Sequence, residues 1–343
     1  MDYANWMTDT PDVLEKTLAQ LVLPEAHDAG TYDVDGGLLP PGGPWGAVVA
    51  YLDALGLGQL TGPIVSAFTK AQPQPILQQL RGGVRVLDLR VCWDNGFHIH
   101  HGPIVCGTLQ AVLADIQAFL AETRHELVVV VASHFAFDTY PAHDDPLTAL
   151  GRYVIQQLGT QALVACPADP ATYLRRAAVK TITAEGSKVL FAVESNTLDP
   201  ALRSHIWHPA LYTGGYADTT DLAVMVDREQ QRVNAHAANP SGSLFQLQWL
   251  LTPDADYIIR QIEQAIAVVG INPGAILAYL DQHGLKQLAQ RAHNALGAFM
   301  AKNRHASINT LRVDYCVGSP AIDLAITLSR APAPPTQGQS EQP

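Results

Sequence analysis

One short run, L127-V-V-V-V-A-S133, constrains this chain more than any other feature. A strand that is apolar at successive positions has no face to offer water, so both of its faces must be covered. A helix feeds straight into it: Thr108 stands as the N-cap, and Leu109, Val112, Leu113, Ile116, Phe119 and Leu120 recur at helical spacing on one side. An amphipathic helix followed by a doubly buried strand is the building unit of a parallel α/β sheet. The pattern recurs along the chain. Strands are expected at 21–24, 84–91, 188–194, 243–251 and 308–316, and helices over 11–20, 75–81, 144–158, 170–178, 254–269, 273–281 and 285–301. Thr10 and Pro11 suit the N-cap and first turn of the earliest helix. A chain of 343 residues is long enough to close such units into one barrel. The fold class is therefore read as α/β, a TIM (β/α)8-like barrel forming a single domain over residues 1–330. The remainder, 331–343, is rich in proline and polar residues and reads as a disordered tail.

Barrels of this kind carry their chemistry at the C-terminal ends of the strands. His27, Arg90, Ser133, Glu194 and Asp314 all fall at or near those ends. Asp88 and Arg90 lie two residues apart and so share one strand face, with Leu87 and Leu89 on the other. A charged pair alternating with aliphatics on a buried strand costs free energy unless it is paired or used. Read singly, Asp28 is a turn former, and Asp88 with Arg90 is a structural ion pair. In H98-I-H-H101, His98 and His100 share a face, which suits either a metal clip or a polar strand edge. The glycine and proline that follow match no standard zinc spacing, and no metal is assigned. The four cysteines are scattered without a C-x-x-C pair, so neither a zinc knuckle nor a disulfide framework is indicated.

Composition narrows the partners. A net charge of -11 opposes nucleic-acid binding and simple electrostatic attachment to anionic membranes. No run approaches the ~18 apolar residues of a membrane span. No secretory leader is recognisable at the start of the sequence, so a cytoplasmic location is read, with export by a leaderless route left open. Oligomeric state is not legible.

Taken in order, N5-W-M7, L23-P-E-A-H-D-A-G-T-Y32, Q79-L-R-G-G-V-R-V-L-D-L-R90 and H100-H-G-P103 resemble the X-domain phosphodiesterases, the phosphatidylinositol-specific phospholipase C family. The last strand, with R312-V-D-Y315, resembles that family's final catalytic segment. The resemblance implies a distorted TIM barrel that cleaves a phospholipid phosphodiester through a cyclic phosphate. It implies His27 as general base, Asp314 as the carboxylate orienting it, and His101 as general acid with Asp28 as its helper. Arg90 would neutralise charge at phosphorus, and Asp88 would position Arg90. Calcium-dependent members carry an acidic residue where Arg90 stands, so catalysis without metal or other cofactor is expected.

The chain also departs from the bacterial inositol-lipid enzymes. Ser133 and His134 stand where those place a lysine, and Glu194 lies where they carry an arginine, so the cations that hold inositol are expected to be absent. Ser133, His134 and Glu194 become the substrate-contact candidates. The partner implied is a phospholipid, at a membrane surface. P40-P-G-G-P-W45 is read as a rim that carries Trp45 into the lipid interface or, alternatively, as the start of a helix packed on the barrel wall. Two other readings compete. One is a metal-dependent glycerophosphodiester phosphodiesterase or sphingomyelinase-D-like hydrolase, whose E-x-D pair is broken here by D88-L-R90. The other is a non-catalytic lipid-binding barrel, which has no need of an acid-base pair.

Overall fold

In a computed structural model of the full chain, residues 2–34, 44–141, 144–195, 198–208, 211–239 and 243–331 are described. The tail expected at 331–343 lies almost wholly outside these residues, as does most of the Gly/Pro-rich segment before Trp45. Nine strands form one sheet: β1 (Leu23–Ala26), β2 (Val86–Trp93), β3 (Phe97–His101), β4 (Ile104–Thr108), β5 (Leu127–Ala136), β6 (Lys188–Val193), β7 (Tyr212–Thr213), β8 (Leu244–Gln248) and β9 (Thr310–Val313). Seven of them run parallel in the order β7-β8-β9-β1-β2-β5-β6. Helices cover the strands, and the result is a distorted TIM-barrel-like fold with a core running from Trp6 to Ile326. Closure is incomplete. Among the described residues β6 and β7 are not hydrogen-bonded to each other; Trp207 bridges to Ala192 along the free edge of β6.

The apolar run 127–133 behaves as its composition requires. Leu127 to Ala132 are all buried, between β2 and β6. Thr108 caps the preceding helix, Leu109–Glu122, by accepting a hydrogen bond from the Ala111 amide. Thr10 does not cap: the first helix is only Pro11–Leu14, and the Thr10 hydroxyl accepts from Arg330 instead. Helices Thr61–Thr69, Leu222–Ala238 and Pro320–Arg330, strand β7 and the β3–β4 hairpin were not anticipated. The hairpin matters most. β1 pairs with β2 only at Glu25–Val86 and Ala26–Leu87, and beyond that point β3 pairs with β2 at Val91 to Trp93. The short first strand thus leaves room for a hairpin that carries His101 over the barrel mouth.

At the opposite end of β2, Arg85 is fully buried against Glu126, with Arg85 Nη2 2.6 Å from Glu126 Oε2. Its other N–H groups donate to the carbonyls of Leu80, Val84, Tyr3 and Ala4.

Candidate active site

Among the described residues, three of the five non-glycine positions with positive φ, Asp28 (44°), His134 (48°) and Tyr315 (49°), sit where strands reach the barrel mouth. A left-handed residue there turns the chain sharply, and aspartate tolerates that conformation better than most. At the end of β1 the turn presents His27 and Asp28 together; at the end of β9 it presents Asp314. His27 Nδ1 lies 2.7 Å from Asp314 Oδ1, and Arg90 Nη2 lies 3.0 Å from His27 Nε2. With its ring neutral and the proton on Nδ1, His27 donates to the Asp314 carboxylate and keeps Nε2, beside the Arg90 guanidinium, as the nitrogen able to take a proton.

Asp28 is the hub. Its Oδ1 is 2.5 Å from Arg90 Nε, and its Oδ2 is 3.3 Å from both His27 Nε2 and His101 Nδ1. Asp28 is 1% exposed, yet Arg90, His101 and His27 together hold its carboxyl well below the usual range, overcoming the opposing effect of burial. The resemblance pairs Asp88 with Arg90, but the direct ion pair forms with Asp28 instead. Asp88 Oδ2 accepts from the Asp28 amide, and its Oδ1 lies 3.4 Å from Arg312 Nη2, so Asp88 acts on Arg90 both by its charge and by bracing Asp28.

His101 hangs over this group from β3, its ring centroid 6.3 Å from that of His27, with Nδ1 2.7 Å from the Thr69 carbonyl. The two imidazoles differ in basicity. Burial would lower both. For His27, the carboxylates of Asp28 and Asp314 outweigh burial and the net shift is upward. For His101, burial wins, Arg90 and His27 add to it, and the value falls to about 4 despite Asp28.

A cavity of about 590 Å³ opens above these groups, in the range of small-molecule sites. All three substrate-contact candidates line it. Ser133 Oγ and His134 Nδ1 are 2.8 Å apart. Glu194 has its pKa raised, first by burial and then by Asp88 and Glu25. The cation expected to be missing is partly replaced: Arg312 lines the same cavity, but Glu25 holds its Nε at 2.7 Å and Asp88 its Nη2. Trp45 is not a free rim residue. It begins the helix Pro44–Ala54, lines the cavity and rests on Gly102, while Val48 and Leu52 bury into a second apolar cluster with Ile258 and Ile262. The packed alternative is the one observed. His98 and His100 form no metal clip: His98 Nδ1 lies 3.3 Å from the Cys106 carbonyl and His100 Nε2 2.7 Å from that of His134.

Among the described residues one group of side chains is close enough to share an ion: His27, Asp28 and Asp88, with ligand atoms within 4.8 Å of one another. Arg90 already sets a fixed positive charge on one of those carboxylates, which a divalent ion would have to oppose. Sequence reasoning missed Arg312, Gln246, Gln248, Tyr212 and Tyr216. Arg312 precedes Asp314 by two residues, the same spacing that singled out Asp88 and Arg90, and Gln246 and Gln248 alternate with apolar residues in the same way. β7 is two residues long and leaves no period to read.

Known proteins share this architecture. Phosphatidylinositol-specific phospholipase C of Listeria monocytogenes superposes with a TM-score of 0.61 at 18% identity, covering 96% of this chain and 99% of that one. The Staphylococcus aureus enzyme of that name gives 0.62 at 15% identity, over 96% and 98%. The fold is that of the phosphatidylinositol-specific phospholipases C. In sequence the chain resembles the PI-PLC X-domain proteins. It is 30% identical over 137 residues to a PI-PLC X-box domain-containing protein of Dictyostelium discoideum, and 24% identical over 233 residues to PI-PLC X domain-containing protein 1 of Mus musculus. Those matches cover 39% and 64% of this chain but only 17% and 61% of the relatives. No protein-family model matches. None of the described helices is long and apolar enough to cross a membrane.

Proposed function

We propose that this chain is a metal-independent phosphodiesterase of the phospholipase C type, which releases a diacylglycerol and a cyclic phosphate from a phospholipid. The observation that carries the reading is that two imidazoles flank one guanidinium in a single cleft, each within ion-pair distance of a buried carboxylate. A binding module needs no such pair.

In this mechanism a hydroxyl of the head group, next to the phosphodiester, attacks phosphorus. Its proton passes to the bare Nε2 of His27, and Asp314 stabilises the imidazolium. Arg90 compensates the charge gathering on the non-bridging oxygens. The bond to the glycerol oxygen breaks, and protonated His101 supplies that oxygen with a proton. Asp28 stabilises the charged form of His101 and holds Arg90. The ligand-free site favours charge on His27 rather than on His101, the reverse of what the reaction uses. An arriving phosphate anion stabilises a charged His101, and Asp28 Oδ2, equidistant from both rings, favours the proton on either of them.

The test is phosphorus NMR of phosphatidylinositol and other phospholipid vesicles incubated with the protein, with and without EDTA. A transient cyclic phosphate, formed equally fast in chelator, is the expected result. Turnover abolished by EDTA overturns metal independence. Hydrolysis with no cyclic species overturns the intramolecular attack. No turnover of any phospholipid leaves the non-catalytic barrel.

A further inference from the structure

The segment that ends the helix Thr61–Thr69 touches the backbone or the ring of each residue in the acid-base group. The Thr69 carbonyl lies 2.7 Å from His101 Nδ1. Two residues on, the Ala71 carbonyl accepts from the Tyr315 amide at 2.7 Å. Gln72 is fully buried, and its Nε2 donates to the carbonyls of His27 and Val313, both at 3.0 Å. Its Oε1 accepts from the Cys316 amide at 2.9 Å. The Ala71 and Gln72 amides donate to Thr31 Oγ1, which in turn donates to the Asp28 carbonyl at 2.8 Å. None of these contacts involves a charged side chain of the segment.

Such bracing is needed because the strand ladder stops short of the chemistry. β1 and β9 are last in register at Ala26 and Val313, one residue before His27 and Asp314. Directly beyond, Asp28 and Tyr315 adopt left-handed backbone, which persists only where the surroundings over-determine it. The carbonyls of His27 and Val313 are both acceptors and cannot bond to each other. A group that joins them must bring two donors on one atom, and to meet the Cys316 amide it must also bring an acceptor beside them. A side-chain amide does this; a hydroxyl has one donor and an ionised carboxylate none. The Cys316 amide fixes which way the amide of Gln72 faces, because only Oε1 can accept from it.

We propose that Gln72 is a positioning residue of the acid-base reaction. It holds the backbone of His27 in register with that of Asp314, while the Thr69 carbonyl on the same segment seats His101. Base, orienting carboxylate and acid thus share one mount. The proposal rests on the roles given above to those three residues.

The test compares Gln72→Met, which keeps length and bulk without the hydrogen bonds, with Gln72→Glu, which keeps the acceptor and has a donor only while its carboxyl is protonated. Turnover of a soluble phosphodiester is followed against pH, the His27 ring is titrated by NMR, and the folded fraction is measured by circular dichroism. For Gln72→Met, kcat is expected to fall about 10²-fold, the scale of a ~1 Å misplacement. KM should stay within about twofold, since Gln72 is buried behind the site and meets no substrate. The elevated pKa of His27 should drop toward the ordinary histidine value as Asp314 loses its register. Gln72→Glu should recover part of the loss in acid and forfeit it as the pH rises through its carboxyl. The proposal is overturned if Gln72→Met keeps its kcat, if the His27 titration does not move, or if the two variants are alike at every pH. A loss that merely tracks the folded fraction, or failure of both variants to fold, overturns it as well, because Gln72 then serves the fold alone. A parent that turns over no phosphodiester, with a His27 titration that still responds to Gln72, would sink the reaction and leave the mount. Turnover in the parent that both variants retain would do the opposite.

Discussion

Arg85 and Arg90 lie on the same stretch of chain, one entering β2 and the other near its end, and they have opposite surroundings. Arg85 is sealed at the base of the barrel between the rings of Trp6 and Phe119, 5.6 and 4.9 Å from its guanidinium carbon. Glu126 and four carbonyls take its N–H groups. Arg90 is 14% exposed at the mouth, touches Asp28 and His27, and lines the cavity with N–H groups that have no further described partner. A saturated guanidinium has nothing left to offer a ligand and serves only to hold the fold. An unsaturated one, already braced by a carboxylate, can accept an anion without moving. The same residue type thus separates a stability end from a chemistry end.

The widest separation should come from the mouth. Arg90→Lys, which keeps a cation beside Asp28, His27→Ala and His101→Ala are each expected to reduce turnover by ~10²–10⁴-fold while melting stays within a few degrees of the parent. A melting loss as large as that from the base would erase the distinction. At the base, Arg85→Met leaves Glu126 buried without its partner. A loss of about 3–5 kcal/mol in denaturant unfolding is expected, with the specific activity of the folded fraction unchanged.

The pH profile sharpens the contrast within the mouth. For kcat/KM on a soluble phosphodiester, an acid limb near His101, at about 4, and an alkaline limb above the ordinary histidine value near 6.5, from His27, are expected. The sign follows from the shifts: His101 is depressed and His27 elevated, so the productive form, His101 charged and His27 bare, is a minor but constant species between the two limbs. Asp28→Asn removes a carboxylate that raises His27 and should move the alkaline limb to lower pH. A limb that stays in place means that Asp28 does not set the basicity of His27. Smallest of all, Trp45→Ala should cost roughly tenfold, equally on vesicles and on a soluble substrate, since the indole packs inside the cleft. A loss confined to vesicles would put Trp45 at the lipid surface.

Much of this was legible in the residues. Periodicity identified the doubly buried β5 and the helix before it because their signals are long and uniform. The i, i+2 spacing of Asp88 and Arg90 marked a strand face that meets the cleft. What stayed hidden was of two kinds. β7 is too short to show a period, and the β3–β4 hairpin depends on β1 stopping early, a property of pairing rather than of local sequence. The partner of Arg90 was hidden for a related reason: Asp88 is nearer along the chain, but the left-handed turn at Asp28 swings that carboxylate across.

Gly102, with φ of 54°, follows His101 directly, and a Cβ at that position would stand 2.6 Å from the Trp45 indole nitrogen. The arm bearing the proton donor and the first turn of the Pro44–Ala54 helix are therefore seated flush, with no side chain between them. A single methyl group added there would pry the two apart without altering any charge. Access to the reacting groups can thus be widened or narrowed by bulk alone, independently of the acid-base machinery beneath.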